Sequence, residues 1–295
     1  MPRHVLVPLD GSDHGFAGLE YALELFPDAT LSVVHVADPT HDHVAFVESG
    51  ESPSALAEER GERILDRAVE RGKDRSRDVQ TLLRTGNPHT EIVESIVEHD
   101  IDHVVMGSHG ESPITRPFLG HVSEVVVRRA PVSTTVIPEP VESLHRRELP
   151  GNVLVPTDGS EQAEAALAFA LETFPEGTHT ALHVQALPYD RPRADVRGTY
   201  FEEILRAEEA RSENILESST GIADELGTTV ETSSVAGKPA QAILGFAETN
   251  GHDQIIMGGH GRSLRARMIT GSVAEKVTRR SPLPVTLFRG PHEEV

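Results

Sequence analysis

Two stretches decide the fold when they are laid side by side: HVLVPLDGSDHGFAGLEYALELFP, His4 to Pro27, and NVLVPTDGSEQAEAALAFALETFP, Asn152 to Pro175. Asp10 falls on Asp158, an offset of 148 residues that also brings Val36 of SVVHV onto Val184 of TALHV. Further along, Gly86 pairs with Gly237, Gly107 with Gly258 and Gly120 with Gly271, each 151 residues apart. Three residues have therefore been added between Val184 and Gly237. Self-similarity on this scale means two copies of one domain, not a short-period solenoid. The proline-flanked, charged stretch IPEPVESLHRRELPG, Ile137 to Gly151, reads as the boundary between them, which gives domains 1-140 and 150-290.

Within each copy, VLVP is a short apolar run ending at a turn, as a buried parallel strand should be. A helix is expected at once. Ser160 can cap it, and Ala163, Ala166, Leu167, Ala170, Leu171 and Phe174 recur along one helical face. HVVMG and QIIMG supply a further buried strand, and STTVI and VTLF supply the last. Between Asp38 and Arg77, and again between Ala186 and Gly227, the copies diverge and fill with charge. There Ile204, Leu205, Ile215, Leu216 and Leu226 suggest one long amphipathic crossover helix. Divergence in that region either shapes specificity or marks a solvated insertion without ligand contact. Strands alternating with helices call for an α/β fold, here two tandem doubly wound domains, each with a parallel sheet covered on both faces.

A chain of 295 residues is long enough for two such cores, and it has no cysteine, so disulfides and thiol redox chemistry are unavailable. The formal charge of -20, with lysine only at positions 73, 238 and 276, argues against a surface that binds nucleic acid. It fits a high-salt cytoplasm, where charges are screened within ~3 Å at 1 M, or an ordinary acidic cytosolic protein. No basic, apolar leader opens the chain and no apolar run approaches the ~18 residues that would cross a bilayer. The expectation is a soluble, cytoplasmic protein without a membrane partner.

Chemistry concentrates in GGHGRSLRARMITGS, Gly258 to Ser272, whose glycines follow G-x2-G-x9-G and end in a hydroxyl. A glycine turn entering a helix offers bare N–H groups to an anion, and in a doubly wound sheet ligands gather beyond the carboxyl ends of the strands. Gly258 and Gly261 allow close approach or positive φ, while Gly271 and Ser272 can open the next helix. Arg262, Arg265 and Arg267 either cover phosphates or are simply solvated. The first-half counterpart, GSHGESPITRPFLGH, Gly107 to His121, keeps Gly107, Gly110 and Gly120. It replaces Ser272 by His121 and Arg262 by Glu111, and its Pro113 and Pro117 remove amide donors. The second site should bind more tightly, unless a protonated His121 pairs with phosphate.

A glycine triplet alone is a weak signal, but here it follows a buried strand twice, in company with PLDGS at Pro8 and PTDGS at Pro156, and with GNP at Gly86 and GKP at Gly237. On these residues the chain resembles a tandem member of the universal stress protein family, over nearly all of both halves. The resemblance implies a five-stranded parallel sheet of order 3-2-1-4-5 in each half and an adenine nucleotide, ATP first, between the first and fourth strands. It further implies Asp158 of the Pro156-Thr157-Asp158 tip at the ribose and the Val184 backbone at the adenine edge. Met257, Gly258 and Gly261 would line the ribose and phosphates, with Ser272 and Val273 at the phosphate tail. In the first half Asp10, Val36, Met106 and Gly107 would correspond. Asp158 is equally a turn former, bonding nearby amides, and with a triphosphate it could orient Mg2+.

There is no Walker loop, no H-E-x-x-H helix and no G-x-S-x-G elbow. His35 and His183 match between halves, as do His109 and His260; this argues for duplicated local bonding rather than one metal site, and HDH at His41 reads as loop. No catalytic residue or metal ligand is assigned. The leading function is a nucleotide-binding, stress-response regulator whose output is a changed surface. The alternatives are a slow ATPase or phosphotransferase, and a fold-only interaction module. The resemblance also implies that STTVI and VTLF are edge strands, through which the halves could meet as an internal pseudo-dimer. Whether two chains then associate is left open.

Overall fold

The computed structural model describes residues 1–38, 52–109, 119–138, 140–146, 149–186, 199–259 and 271–290. The first half runs β1 His4–Pro8, α1 Asp13–Leu25, β2 Thr30–Ala37, α2 Pro53–Asp74, β3 Val79–Thr85, α3 Pro88–Glu98, β4 His103–Gly107, α4 His121–Arg129 and β5 Ser133–Ile137. A short turn of helix, α5 Val141–Leu144, leads to the second half. There the order repeats as β6 Asn152–Thr157, α6 Glu161–Thr173, β7 Thr178–Gln185, α7 Thr199–Glu225, β8 Glu231–Ala236, α8 Pro239–Thr249, β9 Gln254–Gly258, α9 Ser272–Arg280 and β10 Val285–Phe288.

Within each half all strand pairs are parallel, in the order 3-2-1-4-5 for the first and its equivalent for the second. Apolar strands of this kind are buried on both faces, and β4 and β5 are buried at every position. The outermost strands, β3 and β8, alternate exposed and half-buried residues, as edges facing water on one side do.

The helices begin where the sequence placed them. The Ser160 hydroxyl accepts the Ala163 amide at 3.3 Å, and Ser12 accepts that of Gly15 at 3.1 Å, each satisfying one of the donors a first helical turn leaves unpaired. α7 is the long crossover helix, burying Ser212, Ile215, Ser219 and Ala223 along one face. Leu226, expected on that face, lies just beyond the helix and is exposed. Among the described residues no helix is long and apolar enough to cross a membrane.

STTVI and VTLF are not edges of the whole molecule. β5 and β10 pair antiparallel, with Thr135 opposite Thr286, so the two sheets run on as one of ten strands. The strand hydrogen bonds left open at the end of each five-stranded sheet are thereby satisfied. Buried side chains add to the seam: Thr135 and Thr286 bond through their hydroxyls at 2.7 Å, and the Tyr21 hydroxyl donates to Gln254 Oε1 at 2.7 Å. Arg289 Nη2 donates to the Val127 carbonyl at 2.8 Å. The ring of Phe169 stacks on that of His103, and Phe174 meets Phe26, so one apolar cluster holds residues of both halves.

Candidate functional site

The turn after β6 fixes the first wall. Gly159 has φ 72°, a left-handed conformation that a side chain would strain, and it lets Asp158 Oδ1 accept the Ser160 amide at 3.0 Å. Asp10 repeats this with Ser12, accepting its amide at 3.0 Å and its hydroxyl at 2.6 Å. Both aspartates therefore act as turn formers at the strand tip. Behind them His183 Nδ1 lies 2.9 Å from the Thr157 carbonyl, and His35 Nδ1 lies 2.7 Å from that of Leu9. A carbonyl only accepts, so each Nδ1 carries the proton and each Nε2 is left as an acceptor in the neutral ring. The matched histidines are duplicated local hydrogen bonds, as their spacing suggested.

The glycine loop is pinned at its stems. Gly259 donates its N–H to the Phe288 carbonyl and accepts from Gly271, both at 2.9 Å; Ser108 makes the equivalent bonds to Ile137 and Gly120 at 2.8 Å. Gly258 is needed for close approach rather than for positive φ. A Cβ there would lie 3.2 Å from the Gln162 backbone, and one on Gly107 would lie 2.6 Å from that of His14. The entering helix thus comes within contact of the strand end. α9 then begins from Gly271, which has no side chain to cap it, and no side-chain cap bond is made. Its first-turn residues Ser272, Val273 and Ala274 line the crevice, at the positive end of the helix dipole.

These walls enclose a cavity of about 330 Å³ at the tips of β6, β7 and β9, the size range of small-ligand sites. Pro156, Thr157, Asp158, Val184, Met257, Gly258, Gly271, Ser272 and Val273 line it, nine of the residues that the sequence singled out. Gly237 does not; it shapes the turn between β8 and α8, where its N–H reaches the Gln185 carbonyl at 3.1 Å. Gly261 and Arg262, like Gly110 in the first half, lie outside the described residues, as do Arg265, Arg267, His260 and His41.

In the first half Asp10, Val36, Met106, Gly107 and Gly120 hold the matching strand-tip and helix-cap positions, and Gly86 holds the β3–α3 turn. The chemistry around them differs. His121 opens α4 exposed, with its ring edge-on to that of His89 at 5.6 Å. His14 and His109 meet at 5.7 Å. Burial, His121 and Arg129 together hold His89 below the usual histidine range. Ser272, Ala240 and Gln162 stand at the positions of His121, His89 and His14 in the second half, so three of these four imidazoles have no counterpart there.

Six further lining residues were not assigned to the site from the sequence: His183 and Leu182 on β7, Pro239 and Ile243 on α8, and Glu208 and Arg211 on α7. Carrying the 151-residue offset back from Gly86 sets Arg211 on Arg60 but Glu208 on Ala57, a match for the arginine alone that does not mark a cavity wall.

Two doubly wound α/β halves, fused through one sheet, with a glycine-capped crevice at the strand tips of the second, define a tandem Rossmann-like fold. The sequence profile of the universal stress protein family matches residues 1–138 and 151–289. The chain belongs to that family. A universal stress protein of Mycobacterium tuberculosis is 27% identical over 274 residues, covering 88% of this chain and 87% of the relative. One from Methanocaldococcus jannaschii is 31% identical over 146 residues, covering 48% of this chain and 84% of its own length. The crystal structure of a universal stress protein from Archaeoglobus fulgidus superposes with a TM-score of 0.65 at 25% identity, covering 99% of this chain and 97% of that one.

Proposed function

We propose that the second half binds an adenine nucleotide, ATP first, and that the chain works as a stress-response regulator whose bound state changes the surface it offers to partners. One observation carries this reading: the cavity joins an apolar slot, formed by Leu182, Val184, Pro239, Ile243 and Met257, to the uncapped first turn of α9. A flat base fits the slot, and a phosphate fits amides backed by a helix dipole. Asp158, at the strand tip that lines the same cavity, would meet the ribose, and with Mg2+ it could also serve as an oxygen ligand beside a triphosphate. The pairing of β5 with β10 suits a pseudo-dimer of halves in solution, with domains divided near residues 140 and 150.

The test begins with small molecules released on denaturing the purified protein, followed by titration of ATP into the wild type, Ser272→Ala and Gly110→Val. Adenine nucleotide in the extract, and binding weakened chiefly by Ser272→Ala, is the expected result. Loss of binding only in Gly110→Val would move the site to the first half. Neither extract nor titration showing nucleotide would leave a fold-only module. Rapid ATP turnover abolished by Asp158→Ala would make it an enzyme.

A further inference from the structure

We infer that Arg211 is the residue by which the cavity selects an anionic nucleotide over its uncharged nucleoside, and that Glu208 is a built-in competitor for it. The inference rests on the nucleotide reading above and adds a charge-selecting residue that the sequence motif does not contain.

Three fixed charges stand among the described residues that line the cavity: Asp158, Glu208 and Arg211. Two are negative, in a chain whose formal charge is -20, so an incoming anion meets repulsion that Arg211 alone offsets among those groups. In a partly desolvated cavity such a charge acts over the whole width of the site, not only at contact. Arg211 and Glu208 sit one turn apart on α7, on the face that also buries Ser212 and Ile215 against the sheet. Burial of those neighbours fixes the helix rotation that presents the pair to the cavity.

The ion pair itself is loose. Arg211 Nη1 lies 3.9 Å from Glu208 Oε1, and the two side chains remain 41% and 29% exposed. Pairs three residues apart on a helix are weak and screened. A phosphate offers the guanidinium two or more oxygens in its own plane, which a carboxylate at that separation does not. Anion binding therefore exchanges a poor partner for a good one. The first half keeps the arginine at the aligned position, Arg60, but has Ala57 where the second half has Glu208, so this carboxylate has no aligned counterpart.

The experiment measures dissociation constants for ATP and adenosine with the wild type, Arg211→Gln and Glu208→Gln, each variant first checked for an unchanged thermal transition. Arg211→Gln should weaken ATP by about 10-fold while adenosine stays within about twofold. Glu208→Gln should tighten ATP and leave adenosine unchanged. Equal losses for both ligands in Arg211→Gln, or no loss for ATP, would overturn the selecting role; weaker ATP binding in Glu208→Gln would overturn the competing role. A folded wild type that binds neither ligand would remove the nucleotide reading itself, a result distinct from those.

Discussion

The hydroxyls of Thr135 and Thr286 meet at 2.7 Å in the middle of the strand pair that joins the halves, and His103 Nε2 completes the chain at 2.8 Å from Thr135. All three residues are buried, and the Tyr21 hydroxyl also reaches Thr286, so losing one group leaves its neighbours short of a partner away from water. Thr286→Val leaves the His103 bond intact and should cost about 1 kcal/mol, whereas Thr135→Val strips the imidazole of its partner and should cost about 2 to 3 kcal/mol. Urea unfolding of the two variants, read as midpoint shifts at constant slope, checks the ranking. Equal midpoints would show that the seam is not organised around Thr135.

His103 also sets an acid limit. Burial holds its pKa down to about 3, far below the 6.5 of a histidine in water. Above pH 6.5 both folded and unfolded chains carry it neutral. As pH falls below 6.5 the unfolded chain takes up a proton that the native state refuses, so stability is lost progressively toward pH 3. One such group accounts for up to ~1.4 kcal/mol per pH unit. Burial also lowers His179 and His252, which steepens the same limb. Unfolding free energies at pH 7, 6 and 5 should decline less steeply in His103→Gln than in the wild type.

Gly107 and Gly258 occupy the same place in the two copies but tolerate a methyl group differently. A Cβ at Gly107 would lie 2.6 Å from the His14 backbone, while one at Gly258 would lie 3.2 Å from that of Gln162. Gly107→Ala must push a helix off the sheet and should cost about 2 to 4 kcal/mol; Gly258→Ala needs only a small shift and should cost about 1 kcal/mol. Thermal unfolding of the pair tests the order.

Ser212 is buried in the middle of α7, with a hydroxyl that has no hydrogen-bond partner among the described residues. Ser212→Ala removes the desolvated group and improves helix propensity, so it should stabilise by about 1 kcal/mol. A raised melting temperature is expected, and a lowered one would mean that the hydroxyl is satisfied by water in solution.

Much of this architecture was legible because duplication makes a sequence its own control. Strands buried on both faces leave continuous apolar runs such as VLVP and QIIMG, and the Ser160 cap follows from local chemistry alone. Turn residues were equally readable: the strand-tip aspartates bond the amides that an Asp-Gly-Ser sequence predicts. The α7 wall was not legible, since a charged residue facing a cavity has the same letter as one facing water. Glu208 and Arg211 differ from the rest of that helix only in where its rotation points them. Leu226 misled for a related reason, since apolar periodicity does not say where a helix stops. The role of Gly258 was half readable: its sequence allowed either positive φ or close approach, and only the distance to Gln162 decides for the latter.

The antiparallel meeting of β5 and β10 has a geometric result for the molecule as a whole. Strands within each half point the same way, so reversing direction at the junction sends their carboxyl ends toward opposite rims of the continuous sheet. The strand tips of one copy therefore reach the upper rim where those of the other reach the lower. Whatever sits at one set of strand tips lies across the full width of the strands from the other set, and the two copies do not compete for the same space.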